Sequence, residues 1–152
     1  KGVYESYKRK GTWTNFHATG KLESQGTYVN NEPKGWWSRW DEQGRLSGTV
    51  EYRDGLPNGW QATWFDNGKT ASRGRMVDRE YDGWWIFWHS NGRKKAEGLY
   101  RHGKREGRWL IWDSEGVLDE KLAGVYENGL WVSALEQEPS DGEGEEAEAQ
   151  AN

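Results

Sequence analysis

The chain has no cysteine, a single methionine and only three prolines among 152 residues. Without cysteine there are no disulfides and no thiolate metal ligands, and the redox state of the compartment leaves no mark on the sequence. The scarcity of proline excludes a Pro-rich linker. No stretch approaches the roughly 20 apolar residues of a membrane-spanning helix, and no basic start followed by an apolar centre marks a signal peptide. The first residue is Lys1 rather than Met, which fits removal of a leader or upstream segment, so cytoplasmic and periplasmic or cell-envelope locations both stay open. Hydrophobic residues make up only 33% of the chain, too few for a thick aliphatic core. Lysine and arginine vanish from Ser133 onward, where Glu136, Glu138, Asp141, Glu143, Glu145, Glu146 and Glu148 accumulate. Residues 133–152 therefore read as an acidic, disordered tail. The rest carries 18 acids against 21 basic residues, a basic array inside a protein of net charge −4.

What the chain has instead is tryptophan, glycine and a period. Twelve Trp and seven Tyr accompany 21 Gly. Gly11, Gly35, Gly59, Gly83 and Gly107 recur every 24 residues, each followed five residues later by an aromatic (Phe16, Trp40, Trp64, Trp88, Trp112) and nine later by a second glycine (Gly20, Gly44, Gly68, Gly92, Gly116). Such a period marks a repeat architecture, in which each unit buries its apolar face only by stacking on its neighbours. Within a unit, aromatic and β-prone residues lead to a turn such as Asp66-Asn67-Gly68 and then return, so each copy reads as one β-hairpin. The fold expected is all-β: an elongated, single-layer antiparallel β-meander of about five 24-residue hairpins. It occupies residues 1–132, with a partial unit at 1–10 and units starting at 11, 35, 59, 83 and 107.

Register decides which side chains share a face. A three-residue loop ending in a glycine bulge puts Trp64 opposite Ala71 and Trp60 opposite Gly74. On that reading the common faces join Trp40 with Leu46, Trp64 with Gly74, and Trp88 with Gly98 and Tyr100. Trp36 and Trp84 then lie across the recurring glycines Gly26, Gly74 and Gly98, a bare backbone that suits a large indole, while Trp13, Trp37, Trp85 and Trp109 point to the second side. Gly2 and Tyr4 hold the phase of a preceding unit. Gly124, Tyr126 and Gly129 fall two residues late, which places an insertion near 118–123, and Trp131 opens a closing strand.

The pattern of Gly83-Trp84-Trp85-Ile86-Phe87-Trp88-His89-Ser90-Asn91-Gly92, continuing to Gly98-Leu99-Tyr100-Arg101-His102-Gly103 and then Gly107 and Trp109, resembles the bacterial variant of the MORN repeat. The resemblance covers nearly the whole array and implies a twisted single-layer meander. It also implies a scaffold, a membrane-apposed module or a YwqK-type antitoxin component. The sequence departs from that pattern at Gln61, where a second Trp is usual, at Arg79, where the loop has Gly, and at Val50, where units 1, 3 and 4 have Gly. Choline-binding and glucan-binding repeats are similar in stringing Trp-rich hairpins together, but their units are shorter.

Catalytic chemistry finds little support. His17 and His89 lie 72 residues apart at one phase, too distant along a ribbon to share a ligand, and read with His102 as exposed residues beside turns. Asp66, Asp82 and Asp113 occupy turn positions that favour Asp. No nucleophile triad, phosphate loop or zinc spacing occurs, so the chain reads as non-enzymatic, with no cofactor and no metal. The binding surface expected is formed by Trp36, Trp37, Trp84, Trp85 and Trp109, with Arg101, Lys104 and Arg105 at its rim. Its expected partner is a protein or a larger assembly, in an antitoxin-like inhibitor or a scaffold. The alternative is an envelope ligand module: glycan or choline held by aromatic cages, or anionic lipid held by the basic hairpin around residues 93–108. A net of about five charges on one unit argues against nucleic acid as the main partner.

Overall fold

The computed structural model describes residues 1–136; the acidic run beyond Glu136, expected as a tail, lies outside the described residues. Twelve strands form one open antiparallel sheet in which every strand pairs only with its sequence neighbours. They are β1 (Val3–Glu5), β2 (Lys8–Phe16), β3 (Leu22–Val29), β4 (Glu32–Trp40), β5 (Leu46–Arg53), β6 (Leu56–Trp64), β7 (Thr70–Val77), β8 (Glu80–Trp88), β9 (Lys94–Arg101), β10 (Lys104–Ile111), β11 (Gly124–Glu127) and β12 (Leu130–Ser133). The all-β meander read from the 24-residue period is the fold observed.

Two kinds of turn alternate along the two long edges. On one edge the N–H of His17 donates to the carbonyl of Lys21 at 2.8 Å and that of Gly20 to His17 at 2.9 Å, and the same pair of bonds recurs at 41–45, 65–69, 89–93 and 113–117. This is the three-residue loop with a terminal glycine bulge that the spacing predicts. On the other edge the two-residue turns Ser6-Tyr7, Asn30-Asn31, Asp54-Gly55, Asp78-Arg79, His102-Gly103 and Asn128-Gly129 have positive φ at both positions, the type I′ geometry that matches strand twist. Arg79 takes φ +74° where its counterparts Gly55 and Gly103 do so without steric cost.

The register differs from both expected pairings by a single residue. Trp64 faces Thr70, not Ala71, and from Thr63↔Ser72 onward the pairing places Gln61, not Trp60, opposite Gly74. The cause is a second bulge one step after each turn. Ala71 is left unpaired there, as are Glu23, Ser47 and Lys95 in the other units. One extra residue moves the remaining side chains to the opposite face. Trp40 does face Leu46, but Gly98 and Tyr100 share their face with Trp85 and Trp109 rather than with Trp88.

The unit-opening glycines sit in a further bulge. Between β3 and β4 the pairing jumps from Thr27↔Lys34 to Gln25↔Ser38, which leaves Gly35, Trp36 and Trp37 opposite Gly26. Gly35, at φ +69°, adopts a backbone that residues with a Cβ rarely take. The kink drops Trp37 across the preceding strand, where its ring covers Gly26. Trp85 covers Gly74 and Trp109 covers Gly98 in the same way, and a Cβ on any of these glycines would overlap the indole. Each indole N–H then donates to the carbonyl of the next residue: Trp37 to Thr27 at 3.3 Å, Trp85 to Arg75 at 2.9 Å and Trp109 to Leu99 at 2.9 Å. Trp13 lies over Gly2 and against Tyr4, so these two residues repeat the roles of Gly26 and Tyr28.

Tyrosines join these plates edge to face, as between Tyr28 and Trp37 (5.0 Å between centroids) and between Tyr100 and Trp109 (4.8 Å). The best-packed region is at β9 to β11, where Ala96, Trp109, Ile111 and Tyr126 are buried together. The two added residues of the fifth unit appear as the pairing Gly107↔Tyr126 and are taken up by a turn in which the N–H of Ala123 donates to Asp119 at 2.7 Å. Trp131 lies on the closing strand β12 and faces Tyr126.

The two departures Val50 and Gln61 prove to be partners, since they face each other between β5 and β6. Where the indole is missing, no bare backbone is needed beneath one, and the valine restores volume from the opposite strand.

Gly74→Ala should destabilise the chain by about 1–3 kcal/mol or more through overpacking against Trp85. Gly48→Ala, whose added methyl meets nothing closer than 3.6 Å, should stay within about 0.5 kcal/mol of the parent. Urea titrations of the two variants check the difference.

Candidate binding surface

The twist of register divides the tryptophans into a buried row and an exposed one. Trp37, Trp85 and Trp109 are 8%, 0% and 0% exposed. They were expected on the second, presented side; the extra bulge turns them onto the glycines instead, and they stand behind the surface. Trp36 and Trp84 point to the other face and are 55% and 54% exposed. Trp60, 51% exposed, completes their row. Its neighbour is Gln61, so it forms no Trp-Trp pair that would mark it in the sequence, yet the interval from Trp36 to Trp60 to Trp84 is one period each time. The three occupy equivalent positions on β4, β6 and β8, so two strand widths, about 9.4–9.8 Å, separate successive indoles.

Polar groups lie beside two of these rings and a leucine beside the third. Trp36 faces Glu51, Trp60 faces Arg75 and Trp84 faces Leu99 across the sheet. The Arg73 guanidinium sits 5.8 Å from the Trp60 centroid, within reach of cation–π attraction. A second aromatic row, Trp40, Trp64, Trp88 and Trp112, runs four residues further along the strands and is half-buried. It alternates with Leu46, Thr70 and Lys94, the last 5.9 Å from the Trp112 ring. The exposed row ends at β10, where Arg108 takes the Trp phase. There a depression of about 450 Å³ opens beside Leu110, with Glu120 and Glu136 at its rim.

The basic residues divide likewise. Arg101 and Lys104 pair across the type I′ turn at His102-Gly103 and are exposed. Arg105 turns inward: its guanidinium lies 4.6 Å from Trp109 and 5.1 Å from Tyr126 and donates to the Tyr126 hydroxyl at 3.2 Å. Arg9 does the same over Tyr28, at 4.0 Å. Several other cations of the fourth hairpin are engaged within the chain. Lys94 pairs with Glu97 at 2.7 Å, and Arg93 donates to the carbonyl of Glu115.

The turn edge is tied along the ribbon by bonds that join each turn to the equivalent turn of the next unit. Lys69 Nζ donates to the Asn91 carbonyl at 2.6 Å, and Asn67 and Asn91 donate to Ser90 and Ser114 at 2.7 and 2.6 Å. His17 and His89 belong to this set. They are half-buried rather than exposed, and the Nε2 of each meets a carbonyl, Trp40 at 2.8 Å and Trp112 at 2.9 Å. A carbonyl only accepts, so Nε2 carries the proton in both. Asp41 and Asp113 cap their own turns. Backbone N–H groups, foremost those of Arg45 and Val117, donate to their carboxylates and hold both below the ordinary value of 3.8. Glu51 is lowered by the Arg53 guanidinium and by the Trp60 N–H. Burial against Trp85 raises Tyr81. Among the described residues no group of three His, Asp or Glu side chains is placed to hold a metal ion.

Residues 9–30 match the MORN repeat variant. That segment spans β2, its glycine-bulge turn, β3 and the first residue of the following type I′ turn, which is one unit of the array. No curated protein matches the chain. Among solved structures, the GtfA/B complex bound to UDP and GlcNAc aligns with 74% of this chain and 21% of its own, at 9% identity and a TM-score of 0.28. The chain thus spans about a fifth of that protein's length.

Since both caps have lowered folded-state pKa values, the unfolded chain takes up protons first as pH falls. The stability they supply is complete above the ordinary Asp pKa and is lost as pH drops through the lowered one. Asp41→Asn with Asp113→Asn should flatten the acid limb of stability between about pH 6 and pH 2, as read from urea midpoints across that range.

Proposed function

We propose that this chain is a non-enzymatic binding scaffold whose working surface is the sheet face bearing Trp36, Trp60 and Trp84, and that its partner is a protein lying along the ribbon. The observation that carries the reading is the half-exposure of three equivalent indoles in one row, one period apart on one face of the sheet. Tryptophan and arginine dominate the energetics of protein interfaces, and a ring such as Trp60, already beside Arg73, offers both. The MORN repeat variant at residues 9–30 supports a repeat-based binding role. Arg101 and Lys104 supply an exposed basic rim at the turn edge. An antitoxin-like role is one form of this reading, in which the partner is an enzyme silenced by the contact.

Rigidity favours such a role. Antiparallel pairing and the turn-to-turn bonds hold the indoles at fixed intervals before any partner arrives, which lowers the ordering cost of binding.

The triple substitution of Trp36, Trp60 and Trp84 by Ser should leave the circular dichroism spectrum and thermal midpoint near the parent, because none of these rings covers a glycine. It should abolish capture of the proteins that copurify with the parent. Unchanged capture would refute the reading. Retention of the parent, but not the variant, on anionic liposomes or on cell-wall glycan would transfer the surface to the envelope-ligand class.

A further inference from the structure

On the buried face, the tyrosine and tryptophan rings form a chain of contacts that is continuous from Tyr4 through Trp13, Tyr28 and Trp37 to Tyr52. It resumes at Tyr81 and continues through Trp85, Tyr100 and Trp109 to Tyr126. The interruption falls at the third unit, where Gln61 takes the phase of Trp37 and Trp85, and Met76 that of Tyr52 and Tyr100. A depression of about 230 Å³ lies at this break, with Val50, Tyr52, Pro57, Gln61 and Met76 among its walls and Arg39 at its edge.

The geometry points to this break as a receptor for one aromatic side chain, an indole by preference, supplied by a partner polypeptide. Three features define the occupant. The neighbouring units show the ring contact that Tyr52 lacks, because Trp37 and Trp85 each place an indole against the following tyrosine; here Val50 stands where their glycines lie, so an incoming ring would rest on its side chain rather than on bare backbone. Tyr28 and Tyr100 each meet a tryptophan on both sides, whereas Tyr52 meets only Trp37 and has its other side open towards the depression. In the adjoining units the indole N–H donates to the carbonyl of Thr27 or Arg75, and the equivalent carbonyl here, that of Glu51, receives no indole among the described residues. The volume is below the roughly 300–1,000 Å³ of pockets for drug-sized molecules, so it suits a single side chain.

The chain's own residues beyond β12 contain no aromatic, so they do not supply the ring. Arg39 forms no ion pair among the described residues and is exposed, which favours an acidic residue beside the incoming tryptophan. The site lies on the opposite face from Trp36, Trp60 and Trp84 and does not depend on the role proposed for that row.

Met76 is the only methionine in the chain and lines the depression, so its labelled methyl group is a single-signal reporter. In a titration with the capped dipeptide acetyl-Trp-Glu-amide, the Met76 methyl should move upfield by ring current and saturate in the range of about 1 mM. Contacts from the indole to Met76 and Tyr52 should appear in nuclear Overhauser spectra. Acetyl-Trp-Lys-amide should bind several-fold more weakly, and acetyl-Leu-Glu-amide should give no saturable shift. The pair Val50→Gly with Gln61→Trp supplies the missing ring beside Tyr52 from within; it should raise the thermal midpoint and weaken dipeptide binding at least about tenfold. Val50→Phe fills the same space from the other strand and serves where the pair does not fold. The proposal is overturned by the absence of a saturable shift in the parent, by equal binding of the leucine dipeptide, or by undiminished binding in a folded filled variant. Free indole binding as tightly as the dipeptide would also overturn it, by replacing the polypeptide with a small aromatic molecule.

Discussion

An indole lying flat across a glycine on the preceding strand is the contact on which this molecule rests. A single sheet has no second layer, so it must find burial within its own thickness, and a ring of this size over bare backbone removes both from water in one stroke. The carbonyl that accepts the indole N–H completes the arrangement, because a buried donor without a partner would offset part of the gain. The glycine under the ring, the glycine in the bulge that aims it and the tyrosine at its edge follow from that one requirement. The 24-residue period is therefore the spacing of a packing unit as much as of a hairpin.

The third unit shows the same logic by default. Val50 and Gln61 differ from their counterparts together, as they must if ring and glycine form one device. Gly59 departs with them: its φ of +146° contrasts with +65° to +78° at the other unit-opening glycines, and the N–H of Trp60 turns to the Glu51 carboxylate at 3.3 Å. Elsewhere the bulge serves to carry a tryptophan back over the neighbouring strand. With no ring to carry, it relaxes into another shape.

The period made the hairpins, their order, the glycine-bulge turns, the partial unit at Gly2 and Tyr4 and the two-residue insertion before Gly124 legible from residues alone. Each depends on local turn chemistry or on simple phase. The faces were not legible, because they depend on a bulge at Glu23, Ser47, Ala71 and Lys95 that no distinctive residue announces. The choice between Trp36 and Trp37, or between Trp84 and Trp85, turned on that one position. Adjacent tryptophans look alike in sequence, and only the register says which is buried. Arg105 was equally opaque: its place between Trp109 and Tyr126 requires knowing that those rings share its face. Trp60 is legible by phase, one period from both Trp36 and Trp84.

Because every strand pairs only with the strands before and after it in sequence, no ladder in the sheet depends on how many units precede or follow. Length is then free to vary in whole units without redesign of the interior. Duplication or loss of a 24-residue segment preserves each surviving ring over its glycine, and adds or removes one position on the outer face. A lineage carrying such a ribbon can thus alter the reach of its surface through recombination alone, while point substitution acts separately on what each position presents.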